Sequence, residues 1–191
     1  MELSLNRRIV VLTDGDRIAT KVVEKVAQNV GGRAISLSGG NPTQVSGKEI
    51  AEAVKSTPFD PVLVMVDDCG SGSKGYGETA LEELAKDQEI EILGAIAVAS
   101  NTADVEGVPV GISVTREGKI VEASVDKDGV PRADSHRIEG DTVDILNRLN
   151  IPIIIGLGDL GKMDNADLVE DGARITTMAV NEILKRSNFK H

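Results

Sequence analysis

Hydrophobic positions along this chain follow two alternating rhythms. The run Ile9 to Thr13 (IVVLT) is continuous and β-branched, which predicts a strand buried on both faces. After Asp14-Gly15-Asp16, the residues Ile18, Val22, Val23, Val26 and Val30 recur at helical spacing until Gly31-Gly32 stops them. Arg33 to Leu37 predicts a second short strand, closed by Ser38-Gly39-Gly40-Asn41-Pro42. A helix is expected from about Ser46 to Lys55, with Ser46 and Glu49 spaced as a capping box. Pro61 introduces a third strand, Val62 to Val66, which ends in Asp67-Asp68; a Gly-rich loop, a helix over Glu78 to Lys86 and a fourth strand over Ile92 to Ala99 follow.

The rhythm then changes. Val110 to Thr115 and Ile120 to Asp126 flank Arg116-Glu117-Gly118-Lys119, the pattern of an antiparallel hairpin. Asp141 is expected to cap a helix through Leu149, Pro152 to Leu157 to form a fifth parallel strand, and Ala173 to Lys185 to form the last helix. Buried strands alternating with amphipathic helices imply right-handed βαβ units. The expected fold class is α/β: a mostly parallel sheet with helices on both faces, a Rossmann- or Toprim-like three-layer arrangement with an inserted antiparallel hairpin. No linker or repeat interrupts residues 1–191, so a single domain is expected.

In such a sheet, ligands bind where loops leave the carboxyl ends of the strands. Here those ends carry Asp14-Gly15-Asp16, Ser38-Gly39-Gly40-Asn41, Asp67-Asp68, Ser100-Asn101 and Gly158-Asp159. Carboxylates crowded on one rim repel: two charges 4 Å apart cost about 4 kcal/mol at an effective dielectric near 20. Three arrangements would offset this. A hard cation, Mg²⁺ or Ca²⁺, suits oxygen ligands from Asp14, Asp16, Asp67, Asp68 and Asp159. Arg17, Lys74 or Lys162 could pair with the acids. The acids could also cap helices and turns, a role that suits Asp16 and Asp141. Adjacent strand residues face opposite sides, so Asp67 and Asp68 serve one site only if the chain turns between them.

The loop Gly70-Ser71-Gly72-Ser73-Lys74-Gly75 matches G-x-G-x-x-G between a strand and a helix. Its backbone could cradle an anion with Lys74 as counter-charge, although a plain flexible turn fits the same residues. Tyr76 stands where a P-loop needs Lys, and no acid ends the next strand to hold a ribose, so dinucleotide binding is not supported. The candidate ligand-binding residues are Gly39, Gly40, Asn41, Gly70, Gly72, Lys74, Gly75, Glu78, Asn101 and Lys162. Cys69 follows two carboxylates that disfavour its thiolate, and His136 has no partner at metal spacing. No Ser/His/Asp set is evident, so no catalytic residue is assigned and an enzyme is not the expected reading.

Composition narrows the partners. A net charge of −10 argues against nucleic acid or anionic lipid as the main electrostatic partner, and 2% aromatic residues leave little to stack on bases. One Cys cannot form an intrachain disulfide, which fits a reducing, intracellular compartment. Met1 to Arg8 shows no signal-peptide pattern, and no apolar run approaches the roughly 20 residues a spanning helix requires. Any membrane association is therefore expected to be peripheral.

Several strings occur together: TDGD (Thr13 to Asp16), SGGNPT (Ser38 to Thr43), DPVLVMVDD (Asp60 to Asp68), GYGET (Gly75 to Thr79), LGAIAVAS (Leu93 to Ser100), GDTVD (Gly140 to Asp144) and GLGDLGKMD (Gly156 to Asp164). In this order the chain closely resembles the soluble stage V sporulation protein AE family of endospore-forming bacteria. The resemblance implies a forespore or spore location, peripheral at the spore inner membrane. Its implied partners are other proteins of the stage V sporulation A (SpoVA) operon, and its implied role is accessory to movement of dipicolinic acid with calcium at sporulation and germination. It carries over no catalytic residues. A looser likeness is to the Toprim metal-binding domain of primases and topoisomerases. That pattern calls for Glu and then Asp-x-Asp, from which Asp14 and contiguous Asp67-Asp68 depart. The competing functional expectation drawn from it is a Mg²⁺-dependent phosphoryl-transfer or hydrolytic enzyme using Asp14, Asp67 and Asp159.

Overall fold

The computed structural model describes residues 6–70 and 74–190. The main sheet is built from β1 (Arg7–Leu12), β2 (Arg33–Ala34), β3 (Val62–Met65), β4 (Ile90–Val98), β6 (Ile112–Val114), β7 (Ile120–Val121) and β11 (Ile154–Leu157). Their order across the sheet is β2-β3-β1-β4-β11-β6-β7, parallel except for the final β6–β7 pair. Helices α1 (Arg17–Asn29) and α4 (Arg174–Arg186) cover one face, and α2 (Gly47–Ser56) and α3 (Tyr76–Leu84) cover half of the other. Two small hairpins, β5 (Val108–Pro109) with β10 (Arg137–Ile138) and β8 (Ser124–Val125) with β9 (Pro131–Arg132), cover the remainder, where a helix would otherwise lie.

The continuous apolar strands divide between two cores. Val10 and Leu12 of β1 and Leu63 and Met65 of β3 pack under α1 and α4. Ile9, Val11, Val62 and Val64 pack under α2 and α3. This is the two-sided burial a parallel sheet demands. On β4 the second face is lined by Ala95 and Ala97, with Ala99 just past its end, small residues beneath the hairpins.

Local signals explain most boundaries. Asp16 caps α1, its Oδ1 accepting from Ile18 N and Ala19 N at 2.8 Å. The Ser46/Glu49 capping box forms as the sequence indicates. Three expectations need correction. The second strand stops at Ala34, because Ser36–Ser38 turns as a single 3₁₀ turn and Ser38 hydrogen-bonds back to Ile35 O at 2.6 Å. The Asp141-capped helix does not form: Thr142 takes a positive φ of 60° and only a 3₁₀ turn, Asp144–Asn147, follows. Asp126 does not extend the hairpin arm that starts at Ile120; Ser124–Val125 turns away to pair with Pro131–Arg132, while β6 joins the main sheet beside β11.

Asp167 fastens the end of the sheet to α4. It is fully buried, and its carboxylate accepts from Gly161 N (3.2 Å), Ile175 N (2.9 Å), Thr176 N (3.0 Å) and Thr176 Oγ1 (2.6 Å). It thereby satisfies the first amides of a helix whose own N-cap position is Ala173. Asp167→Ala should cost about 3 kcal/mol, lowering the melting temperature by about 6–12 °C in a thermal melt followed by circular dichroism. A loss under about 1 kcal/mol would contradict this role.

Candidate functional site

At their carboxyl ends the central strands part, and side-chain hydroxyls replace backbone acceptors. Thr13 Oγ1 accepts from Val98 N, Ser38 Oγ from Met65 N and Thr43 Oγ1 from Asp67 N, each at 2.9 Å. All three residues are buried. β1 connects to α1 on one face, while its neighbours β3 and β4 connect to the other. In the crevice so formed lies a cavity of about 270 Å³, whose walls include Thr13, Asp14, Asp16, Asn41, Asp67, Gly70, Ser100, Asn101, Asp141, Asp159 and Lys162.

Each acid is held differently. Asp14 stands on the loop after β1, and its Oδ1 accepts a long bond from Asp16 N, 3.3 Å. Asp67 accepts from Cys69 N (2.7 Å) and Gly15 N (3.1 Å). Asp68 turns to the opposite side, as alternation requires. Its Oδ1 accepts from Gly77 N (2.7 Å) and Glu78 N (3.3 Å), holding the start of α3, and it does not line the cavity. A side chain at Gly77 would collide with the Asp67 backbone at 2.6 Å, so glycine is required for this approach. Asp159 follows β11, and its loop is braced by the β8–β9 turn through Asp159 N donating to Lys127 O at 2.7 Å. Lys162 Nζ bridges Asp159 (3.0 and 3.1 Å) and Asp16 Oδ2 (3.2 Å).

The remaining candidates divide. Asn41, Asn101, Gly70 and Lys162 share the cavity with the acids. Gly39 and Gly40 lie in a neighbouring hollow beside Gly15 and Arg17, where Gly40 N donates to Gly15 O at 2.6 Å. Lys74 is turned to Glu82 (2.6 Å), Gly75 packs on Asp68, and Glu78 pairs with Arg148 (2.9 Å); none of these lines the cavity. Gly72 lies outside the described residues. Asp141 is the wall residue that sequence reasoning assigned to a cap. Its carboxylate instead accepts from Gly70 N, tying the insertion to the loop after β3, and nothing local in Gly140-Asp141-Thr142 signals that contact. Among the described residues, no three of His, Cys, Asp and Glu are grouped so as to hold a metal ion.

Burial and mutual repulsion perturb this wall. Burial, then Asp16, pushes the Asp14 carboxyl up to about 8. Burial likewise pushes Asp67 up to about 6, with Asp141 and Asp16 adding to it. Asp141 is raised by burial and by Asp68; Asp159 is raised by burial in spite of Lys162. Burial works against the Lys162 ammonium, yet Asp159 and Asp16 together raise it above its ordinary value.

Asp14 and Asp67 thus hold protons in the folded chain at pH values where the unfolded chain, with a value near 3.8, has lost them. Protons therefore favour the fold, and stability falls as pH rises from about 4 to about 8. The melting temperature at about pH 5 should exceed that at about pH 8.5. Asp14→Asn should flatten the upper part of that slope, raising the pH 8.5 melting temperature by about 5 °C. An unchanged slope in the variant would show that Asp14 is ordinary.

A family model described as stage V sporulation protein AE1 matches residues 8–187. No curated protein and no solved structure matches the chain. Nearly every element and every acid of the cavity lies within the matched span. The chain belongs to the stage V sporulation protein AE family, and its role is related to sporulation.

Proposed function

We propose that this protein is a non-enzymatic accessory to dipicolinate and calcium movement into or out of the spore, and that its carboxyl-edge cavity takes the two together as a chelate. One observation carries the choice of ligand: five acids, Asp14, Asp16, Asp67, Asp141 and Asp159, line one cavity, yet among the described residues no three are grouped to hold a bare ion. Calcium requires six to eight oxygen ligands. Calcium already chelated by a dicarboxylate brings several of its own donors and needs only one or two from a protein. Asp14, protonated near neutral pH, offers a hydrogen-bond donor to a ligand carboxylate, and Lys162 offers a charge. Among the described residues no helix is long and apolar enough to cross a membrane. Peripheral attachment at the spore inner membrane, through other products of the operon, is the corresponding reading. The Mg²⁺-dependent phosphoryl-transfer alternative gains less support, since among the described residues its acids, Asp14, Asp67 and Asp159, are not grouped to hold an ion.

Thermal melts with EDTA, Mg²⁺, Ca²⁺, dipicolinate, and calcium with dipicolinate test this reading. The last should raise the melting temperature by about 5–10 °C at 100 times Kd, and Asp14→Ala should abolish the shift. No shift with the chelate, or an equal shift in Asp14→Ala, would overturn it.

A further inference from the structure

We propose that Lys162 determines which ligand the cavity admits: its ammonium occupies the place of a free cation between Asp16 and Asp159, so bare divalent ions are excluded. This rests on the proposed cavity function and adds a selectivity rule to it. Lys162 Nζ lies 3.0 and 3.1 Å from the two oxygens of Asp159 and 3.2 Å from Asp16 Oδ2. It thus engages three carboxylate oxygens from two acids, a donor set a divalent ion would otherwise seek. The turn that carries it is anchored, because Gly161 N donates to fully buried Asp167 at 3.2 Å. The side chain itself is 40% exposed.

A tethered ammonium competes at an effective concentration of roughly millimolar or above, independent of the solution. A bare ion at lower concentration must displace it and leave a lysine near the remaining charge. A chelate does not face that choice. Its own carboxylates accept from the ammonium, which can stay on Asp159 while the metal takes an oxygen of Asp67 or Asp141 in the same cavity. Removing the lysine charge then has opposite consequences for the two ligands. The site gains affinity for the bare ion and loses it for the chelate. A merely structural lysine would move both in the same direction or neither.

The experiment is isothermal titration calorimetry of wild type, Lys162→Met and Lys162→Arg with calcium chloride, magnesium chloride, and calcium with dipicolinate. Lys162→Met should bind Ca²⁺ at least tenfold more tightly than wild type and the chelate at least tenfold more weakly, while Lys162→Arg keeps the wild-type preference. Unchanged affinities in Lys162→Met, or losses for both ligands, would overturn the proposal; a circular-dichroism melt of each variant confirms that it is folded. A gain for Ca²⁺ in Lys162→Met with no chelate binding by any form would uphold the lysine's role and refute the chelate reading, so the two fail separately.

Discussion

The carboxyl edge of this sheet exists because its strands cannot all keep their ladders to the end. Thr13, Ser38 and Thr43 supply hydroxyl acceptors to Val98 N, Met65 N and Asp67 N where backbone carbonyls have diverged. A buried amide left without an acceptor costs about 1–3 kcal/mol, so without these hydroxyls the strands would either stay paired and close the crevice or lose stability. Thr13 stands directly after β1, while Ser38 and Thr43 stand on the segment that follows β2. The loops that leave carry the acids.

What those loops carry is a charge problem only partly solved. Lys162 neutralises Asp16 and Asp159, Asp67 rests on backbone amides, and Asp141 holds Gly70 N. Among the described residues Asp14 has no cationic partner, and burial raises its carboxyl to about 8. A fold optimised for stability alone would place an apolar or amide residue there. Perturbed carboxyls in a cleft point toward function, and here the cleft, the raised carboxyls and the lysine bridge coincide. The insertion takes part as well, because Asp141 and the Lys127 carbonyl brace two of the cavity's walls.

Much of this was legible in the sequence, and the divide follows the range of the interactions involved. The runs at Ile9 to Thr13, Val62 to Val66 and Ile92 to Ala99 announced buried parallel strands, and Asp16, Ser46 and Glu49 announced helix starts, because those signals act within one turn or one strand. The gathering of Asp14, Asp67 and Asp159 on one edge followed from topology. Opposite directions for Asp67 and Asp68 followed from strand alternation. Asp141 was misread because its decisive partner, Gly70 N, is 71 residues away. The same holds for β6, whose place beside β11 depends on a pairing no local pattern encodes. Lys74 and Glu78 looked like site residues from the glycine-rich spacing, but Glu82 and Arg148 hold them elsewhere.

The central claim is that a metal–dicarboxylate chelate enters this cavity and exchanges water for protein oxygens. Terbium dipicolinate tests it most directly, since terbium is a hard, oxygen-seeking ion and its luminescence lifetime reports how many waters remain bound. The account predicts a longer lifetime when the wild-type protein is added, with at least one water lost, and no change with Asp14→Ala. An unchanged lifetime with wild-type protein in large excess would contradict it.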